Sequence, residues 1–151
     1  MEPVKLVSLG DRKMFDNKNP LYRLYEEVIN QKKFEVINDL YAPNYVNHIA
    51  PFGLESDIEG VKKLLREQAK AFPDWHITVD YVIEHGKKYI VRWTLTGTHT
   101  GNYFGIKPTG KKFKISGVDI ETIVDGKITE HDGAEDMLGL LQQIGTVPMV
   151  F

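Results

Sequence analysis

The chain has 151 residues, with Lys+Arg 19 against Asp+Glu 21 and five histidines, a size that suits one domain with a real core. So even a charge balance excludes the attraction that nucleic acid or an anionic membrane surface demands. The absence of cysteine excludes disulfides, thiolate nucleophiles and cysteine metal sites.

Aromatics are plentiful (Phe 7, Tyr 7, Trp 2), so chemistry falls to imidazole, phenol and carboxylate groups. No charged segment leading into an apolar stretch opens the chain and no N-x-Ser/Thr sequon occurs, which predicts a cytoplasmic protein. Residues 1–19 show no sustained period and read as an arm, residues 20–145 as the domain, and residues 146–151 as a tail. Pro20 opens a helix on which Leu21, Leu24, Tyr25, Val28 and Ile29 recur at helical spacing. Phe34, Ile37 and Tyr41 repeat the pattern in a second helix that Pro43 ends, and Tyr45 to Ile49 reads as a small strand running into a Pro51/Gly53 loop.

Ser56-Asp57-Ile58-Glu59 has the form of a capping box, which predicts a third helix carrying Ile58, Val61, Leu64, Leu65, Ala69 and Phe72. Period-two alternation follows from His76 to Glu84 and from Lys88 to Thr100. A loop from Gly101 to Gly110 leads to a long strand over Lys111 to Val124, then Asp125-Gly126, a strong type I′ turn signal, and a partner strand from Lys127 to Asp132. Met137, Leu140, Leu141 and Ile144 close the chain as a short helix stopped by Gly145. Helices first and strands afterwards predict an α+β fold, three N-terminal helices packed on a curled antiparallel sheet that encloses a pocket.

No P-loop, G-x-S-x-G elbow or HExxH spacing occurs, so no metal and no cofactor are expected. His48, between the short strand and the Pro/Gly loop, is either a solvated loop histidine or a base at the cavity mouth. Continuous pairing through the Asp125-Gly126 turn sets His131 opposite Ile120, Asp119 opposite Asp132 and Glu121 opposite Glu130. On that register His131 has apolar neighbours, and the carboxylates form an acidic patch answered by Arg92 or a catalytic acid beside His131. Tyr25 is a core aromatic or a hydroxyl aimed into the cavity, and Trp75 and Trp93 are core rings or ligand platforms.

The ordered set Tyr45-Val-Asn-His48, Ala71-Phe-Pro-Asp74, Val91-Arg-Trp93, Gly97-Thr-His-Thr-Gly101, Gly117-Val-Asp-Ile120, Asp125 to His131 and Leu138 to Gly145 resembles the SnoaL-like polyketide cyclase family, of the nuclear transport factor 2-like superfamily. The resemblance implies a cone of three helices on a curled sheet around a deep pocket, commonly in a homodimer. It implies cofactor-independent acid–base chemistry at a carbon α to a carbonyl, of cyclase, isomerase or lyase type, on a small apolar or cyclic substrate. By similarity to related ketosteroid isomerases, Tyr25 would donate to a developing enolate oxygen and His48 would abstract the α-proton, with His131 on the same wall and Asp119 as an acid. Asn47, Trp75, Trp93, Phe104 and Ile120 complete the expected substrate contacts, while Tyr41, Tyr45 and Phe72 fall on or beside elements of the pocket wall. Family members often carry Trp where this chain has Asp132, and the cyclases carry an acid where it has Gly133. The alternative is a non-catalytic ligand-binding or dimerisation module that uses the same pocket.

Overall fold

The computed structural model describes residue 3, the backbone of residues 5–8, and residues 17–149. Helices cover one side of a six-stranded sheet ordered β1 (Lys5–Ser8), β3 (His76–His85), β4 (Lys88–Thr98), β5 (Lys112–Val124), β6 (Lys127–Glu135) and β2 (Tyr41–Asn47). Strand β1 (Lys5–Ser8) pairs antiparallel with β3 (His76–His85), so part of the expected arm joins the sheet; residues 1, 2, 4 and 9–16 of that arm lie outside the described residues.

The first helix begins as α1 (Pro20–Tyr22), with Asn19 accepting a hydrogen bond from the Leu21 N–H at its cap, and continues as wider π-helical turns over Arg23–Asn30. Its apolar stripe buries Leu21, Leu24, Tyr25 and Val28. The amide of Asn30 docks the end of this helix on β3, donating to the Ile77 carbonyl at 3.0 Å and accepting from the Ile77 N–H at 2.8 Å. A 3-10 turn (Phe34–Val36) leads into α2 (Ile37–Leu40), which is shorter than the periodicity predicts because strand β2 already starts at Tyr41 and runs to Asn47. Pro43 sits inside that strand rather than before it. The position is tolerable because β2 is an edge strand, its pairing shifts register between Tyr41 and Val46, and Pro43 is exposed. Strand β2 runs parallel to β6, so the sheet is mixed at this edge and not wholly antiparallel.

Helix α3 (Ile58–Ala71) is capped by Asp57, whose carboxylate accepts from the N–H groups of Glu59 and Gly60 at 3.0 and 3.1 Å. The cap is thus one residue later than the Ser56 box predicts. Strands β4 (Lys88–Thr98), β5 (Lys112–Val124) and β6 (Lys127–Glu135) form an antiparallel meander with β3, and α4 (Met137–Gln143) closes against β5. The β5–β6 turn is the expected one: Asp125 and Gly126 both adopt positive φ, 50° and 74°. Just beyond it the register slips. Val124 faces Lys127 as predicted, but a bulge leaves Thr129 without a register partner and shifts every later pair by one residue. Glu121 therefore faces His131, Ile120 faces Asp132, and Asp119 faces Gly133, not the pairs that uninterrupted alternation implies. No described helix is long and apolar enough to cross a membrane. The tail turns back, with Gln142 Nε2 donating to the Pro148 carbonyl at 3.1 Å.

Candidate functional site

A cavity of about 140 Å³ lies between the helices and the sheet. Leu24, Ile29, Val61, Leu65, Trp75 and Leu95 make its apolar wall, and Tyr25, Tyr41, Tyr45, Asp119, Glu121 and His131 its polar end. Asp119 and Glu121 share the inner face of β5 by alternation, the bulge on β6 turns His131 to that side as well, and one side-chain ligand atom from each falls within 4.8 Å of the others. Among the described residues, those three groups are the ones that could hold a metal ion. Their charges already answer one another, because a protonated imidazole sits between two carboxylates.

His131 Nδ1 bonds Glu121 Oε1 at 2.7 Å, and Nε2 has no hydrogen-bond partner among the described residues. Burial works against protonating this imidazole, but the hydrogen bond and charge of Glu121, with Asp119 and Glu135 beyond, outweigh it and push its pKa up to about 9. His131 is therefore cationic at neutral pH, a state that apolar neighbours alone would disfavour. Burial raises the pKa of Asp119, opposed by the charge of His131 and by the hydrogen bond from Tyr25. The Tyr25 hydroxyl donates to Asp119 Oδ2 at 2.6 Å, so this phenol orients the carboxylate and leaves Oδ1 free of it. Glu121 is 1% exposed, its pKa is likewise raised by burial, and its Oε2 is buried with no hydrogen-bond partner. Glu135, also on the cavity wall, has its pKa raised by burial and by the Asp119 charge.

Both tryptophans line the cavity and are fixed from behind. Trp75 Nε1 donates to the Ile29 carbonyl at 2.7 Å, tying the ring to the end of the first helix. Trp93 lies against Gly117 on β5, where any Cβ would come within 2.2 Å of the indole.

Of the residues expected from sequence, Tyr25, Asn47, Trp75, Trp93, Asp119 and His131 meet at this cavity. His48, Phe104 and Ile120 do not line it. Alternation along β2 turns Asn47 inward, so His48 points outward, its side chain 45% exposed and Nε2 2.9 Å from Glu130 Oε2. Phe104 occupies the tip of the turn bridged by Tyr103 and Ile106, at φ 45°, and is 49% exposed, while Tyr103 is buried in its place. Ile120 falls on the outer face with Ile90, its partner on β4. Arg92 is likewise outside, paired with Asp80 at 3.1 Å, and His131 rather than Arg92 is the counter-ion of the carboxylates. Glu121 and Glu135 are missing from the expected site, and the bulge that brings His131 opposite Glu121 leaves no mark on the alternation of β6.

Comparison with known proteins gives a consistent set of relatives. The family model for SnoaL-like polyketide cyclases matches residues 19–144. The nogalonic acid methyl ester cyclase of Streptomyces nogalater is 28% identical over 127 residues, 77% of this chain and 88% of that enzyme. The aklanonic acid methyl ester cyclase DnrD of Streptomyces peucetius is 37% identical over 62 residues, 41% of this chain; the match spans only 43% of that relative's length. Among solved structures, TsrD from Streptomyces laurentii superposes with a TM-score of 0.75 at 27% identity, covering 87% of this chain and 98% of its own.

Proposed function

The chain belongs to the SnoaL-like polyketide cyclase family, and from that premise we propose that it catalyses proton transfer at a carbon α to a carbonyl, closing a ring in an apolar polyketide-type substrate. The observation that carries this reading is the buried Asp119–His131–Glu121 cluster at the polar end of an otherwise apolar cavity. A carboxylate whose pKa is raised by burial is a stronger base than one in water, and a fixed imidazolium beside it meets negative charge as it develops on oxygen. In this mechanism the free oxygen of Asp119 takes the α-proton while Tyr25 holds the other oxygen. His131 donates from Nε2 to the carbonyl oxygen that becomes the enolate. The enolate carbon then attacks a second carbonyl of the same molecule, forming the carbon–carbon bond, and the new alkoxide is protonated by His131 or by the proton held on Asp119.

The reading retains an acid where the resemblance finds glycine. Gly133 lacks the family's acid, and a Cβ there would meet the Val118 carbonyl oxygen at 2.3 Å. Its register partner across the β5–β6 pair is Asp119, so the carboxylate comes from the opposite strand. A homodimer belongs to the same reading: Ile90, Val118 and Ile120 on the outer face of β4 and β5 offer a second copy an apolar surface.

The test needs no knowledge of the exact substrate. Methyl esters of aromatic polyketides, incubated with the protein in D₂O, are followed by NMR for exchange of the α-proton and for ring closure. Wild-type protein is expected to promote both, and Asp119→Asn to slow both by at least ~10²-fold. Equal exchange by wild type and variant would remove Asp119 as the base.

A further inference from the structure

Ring closure moves two protons, one off carbon and one onto the oxygen of the attacked carbonyl. Asp119 and His131 are both engaged at the enolate. Strand β6 carries one more titratable group on the cavity wall, Glu135. Beyond the bulge His131, Gly133 and Glu135 alternate onto the inner face, opposite Glu121, Asp119 and Gly117 in turn. Asp119 thus faces a residue without a side chain, and its diagonal neighbours on β6 are His131 on one side and Glu135 on the other. Diagonal positions lie ~7–8 Å apart, a gap that long side chains bridge. No substitution can fill the space between them, because Gly133 has φ 152° and a Cβ there would meet the Val118 carbonyl oxygen at 2.3 Å. The backbone of Glu135 is fixed: it ends β6, and the next N–H, of Asp136, donates to the Ser116 carbonyl at 3.1 Å. Its carboxyl has no hydrogen-bond or ion-pair partner among the described residues. Glu135 both lines the cavity and is exposed, which places it at the rim.

Resting on the reading that Asp119 is the base and His131 polarises the first carbonyl, we propose that Glu135 is the general acid of ring closure, giving its proton to the second carbonyl oxygen as the carbon–carbon bond forms. The order of groups along the wall, His131, Asp119, Glu135, then matches the order of reacting atoms: first carbonyl oxygen, α-carbon, second carbonyl oxygen. The protons balance without a co-reactant. One passes from the α-carbon to Asp119, one from Glu135 to the alkoxide oxygen, and the proton left on Asp119 returns to Glu135 through solvent at the rim. Burial and the Asp119 charge favour the protonated form of Glu135 before the reaction. Once Asp119 has taken the α-proton that charge is gone, so Glu135 becomes more acidic at the step in which it must donate.

Proton removal and ring closure can be read in one tube. Aromatic polyketide methyl esters carrying a second carbonyl are incubated in D₂O with wild type, Glu135→Gln, Glu135→Asp and Asp119→Asn, and NMR follows α-proton exchange and closure together. In Glu135→Gln the ratio of closure to exchange is expected to fall by ~10²-fold, with exchange persisting because the stranded enolate reverts to ketone. Glu135→Asp, which keeps the acid one methylene further back, should recover part of the ratio, a rescue that a structural role would not give. An unchanged ratio in Glu135→Gln overturns the assignment, and so does an equal loss of exchange and closure. A substrate-free measurement checks the placement: carboxyl NMR should show the Glu135 pKa falling in Asp119→Asn, and an unmoved titration also overturns the proposal. The two readings fail separately. Full exchange in Asp119→Asn, with the ratio still lowered in Glu135→Gln, removes Asp119 as the base and leaves Glu135 as the acid, whereas wild-type protein that neither exchanges nor closes these esters overturns both.

Discussion

Two histidine–carboxylate pairs meet strand β6 from opposite faces, and their contrast shows what turns an ion pair into chemistry. His48 contacts Glu130 at 2.9 Å on the outside; one residue later His131 contacts Glu121 at 2.7 Å on the inside. The geometries are nearly the same. Exposure differs: 45% and 43% for the outer side chains, 19% and 2% for the inner. Water screens the outer pair, holds both groups adequately without the contact, and leaves such pairs worth little. The inner pair has lost that water. Its charges are held by protein alone, a second carboxylate adds to the field on the imidazole, and an apolar cavity adjoins it. Only the inner pair can present a fixed cation and a basic carboxylate to an uncharged substrate.

Removing the inner imidazole should have the larger effect. His131→Asn is expected to slow α-proton exchange by ~10²-fold, because the cation opposite the developing enolate is lost while ring-sized polar bulk is kept. The same residue sets a pH signature. A histidine with a pKa of 6.5 in the unfolded chain and about 9 in the fold contributes stability that is fully present below pH 6.5 and is lost as pH rises through about 9. Thermal unfolding of the wild type should show that alkaline decline, His131→Asn should lose this part of it, and NMR of the imidazole should give the titration directly. An ordinary titration of His131 would remove the fixed cation from the inner pair.

The reason only part of this contrast is legible in sequence is local. Periodicity locates α3, the four long strands and α4, and Asp125-Gly126 identifies its own turn, because these features are written in hydrophobic spacing and in φ preferences. The inner site depends on Thr129, an unremarkable strand residue that the bulge leaves unpaired. Without that slip His131 would lie opposite Ile120 on the outer face and Glu130 would meet Glu121; with it, His131 turns inward onto the buried Glu121. The two readings of His48 part for a related reason. Taken as a loop residue it could face anywhere, but β2 ends at Asn47, which lines the cavity, and His48 just past it faces water. Arg92 follows the same rule, since its place on β4 sends it to Asp80 and away from the carboxylates. Tyr25, Trp75 and Trp93 are legible because large aromatics on apolar faces must be inside, whatever the register.

A subtler change weakens the inner pair without removing either ring. Glu121→Gln keeps a hydrogen-bond acceptor for His131 Nδ1 but deletes the charge that does most to hold the imidazole protonated. The His131 pKa should fall, the alkaline limb of the activity profile should move to lower pH, and exchange at neutral pH should drop by about tenfold. Activity at pH 6 should recover much of the difference, which a merely unfolded or loosened variant would not show. An unmoved alkaline limb would mean that Glu121 packs against His131 without setting its charge.

The smallest expected effect makes the sharpest test of the outer pair. His48→Ala removes the hydrogen bond that helps hold Glu130 below the usual carboxylate range, and nothing on the cavity wall changes. Exchange should stay within about twofold of the wild type, the scale at which an exposed ion pair matters. The resemblance to ketosteroid isomerases assigns the base to this very residue, so the two readings diverge by about a hundredfold on one substitution. A loss of that size in His48→Ala would require the outer face of β2 to reach substrate, and the distinction between the two faces of β6 would fall with it.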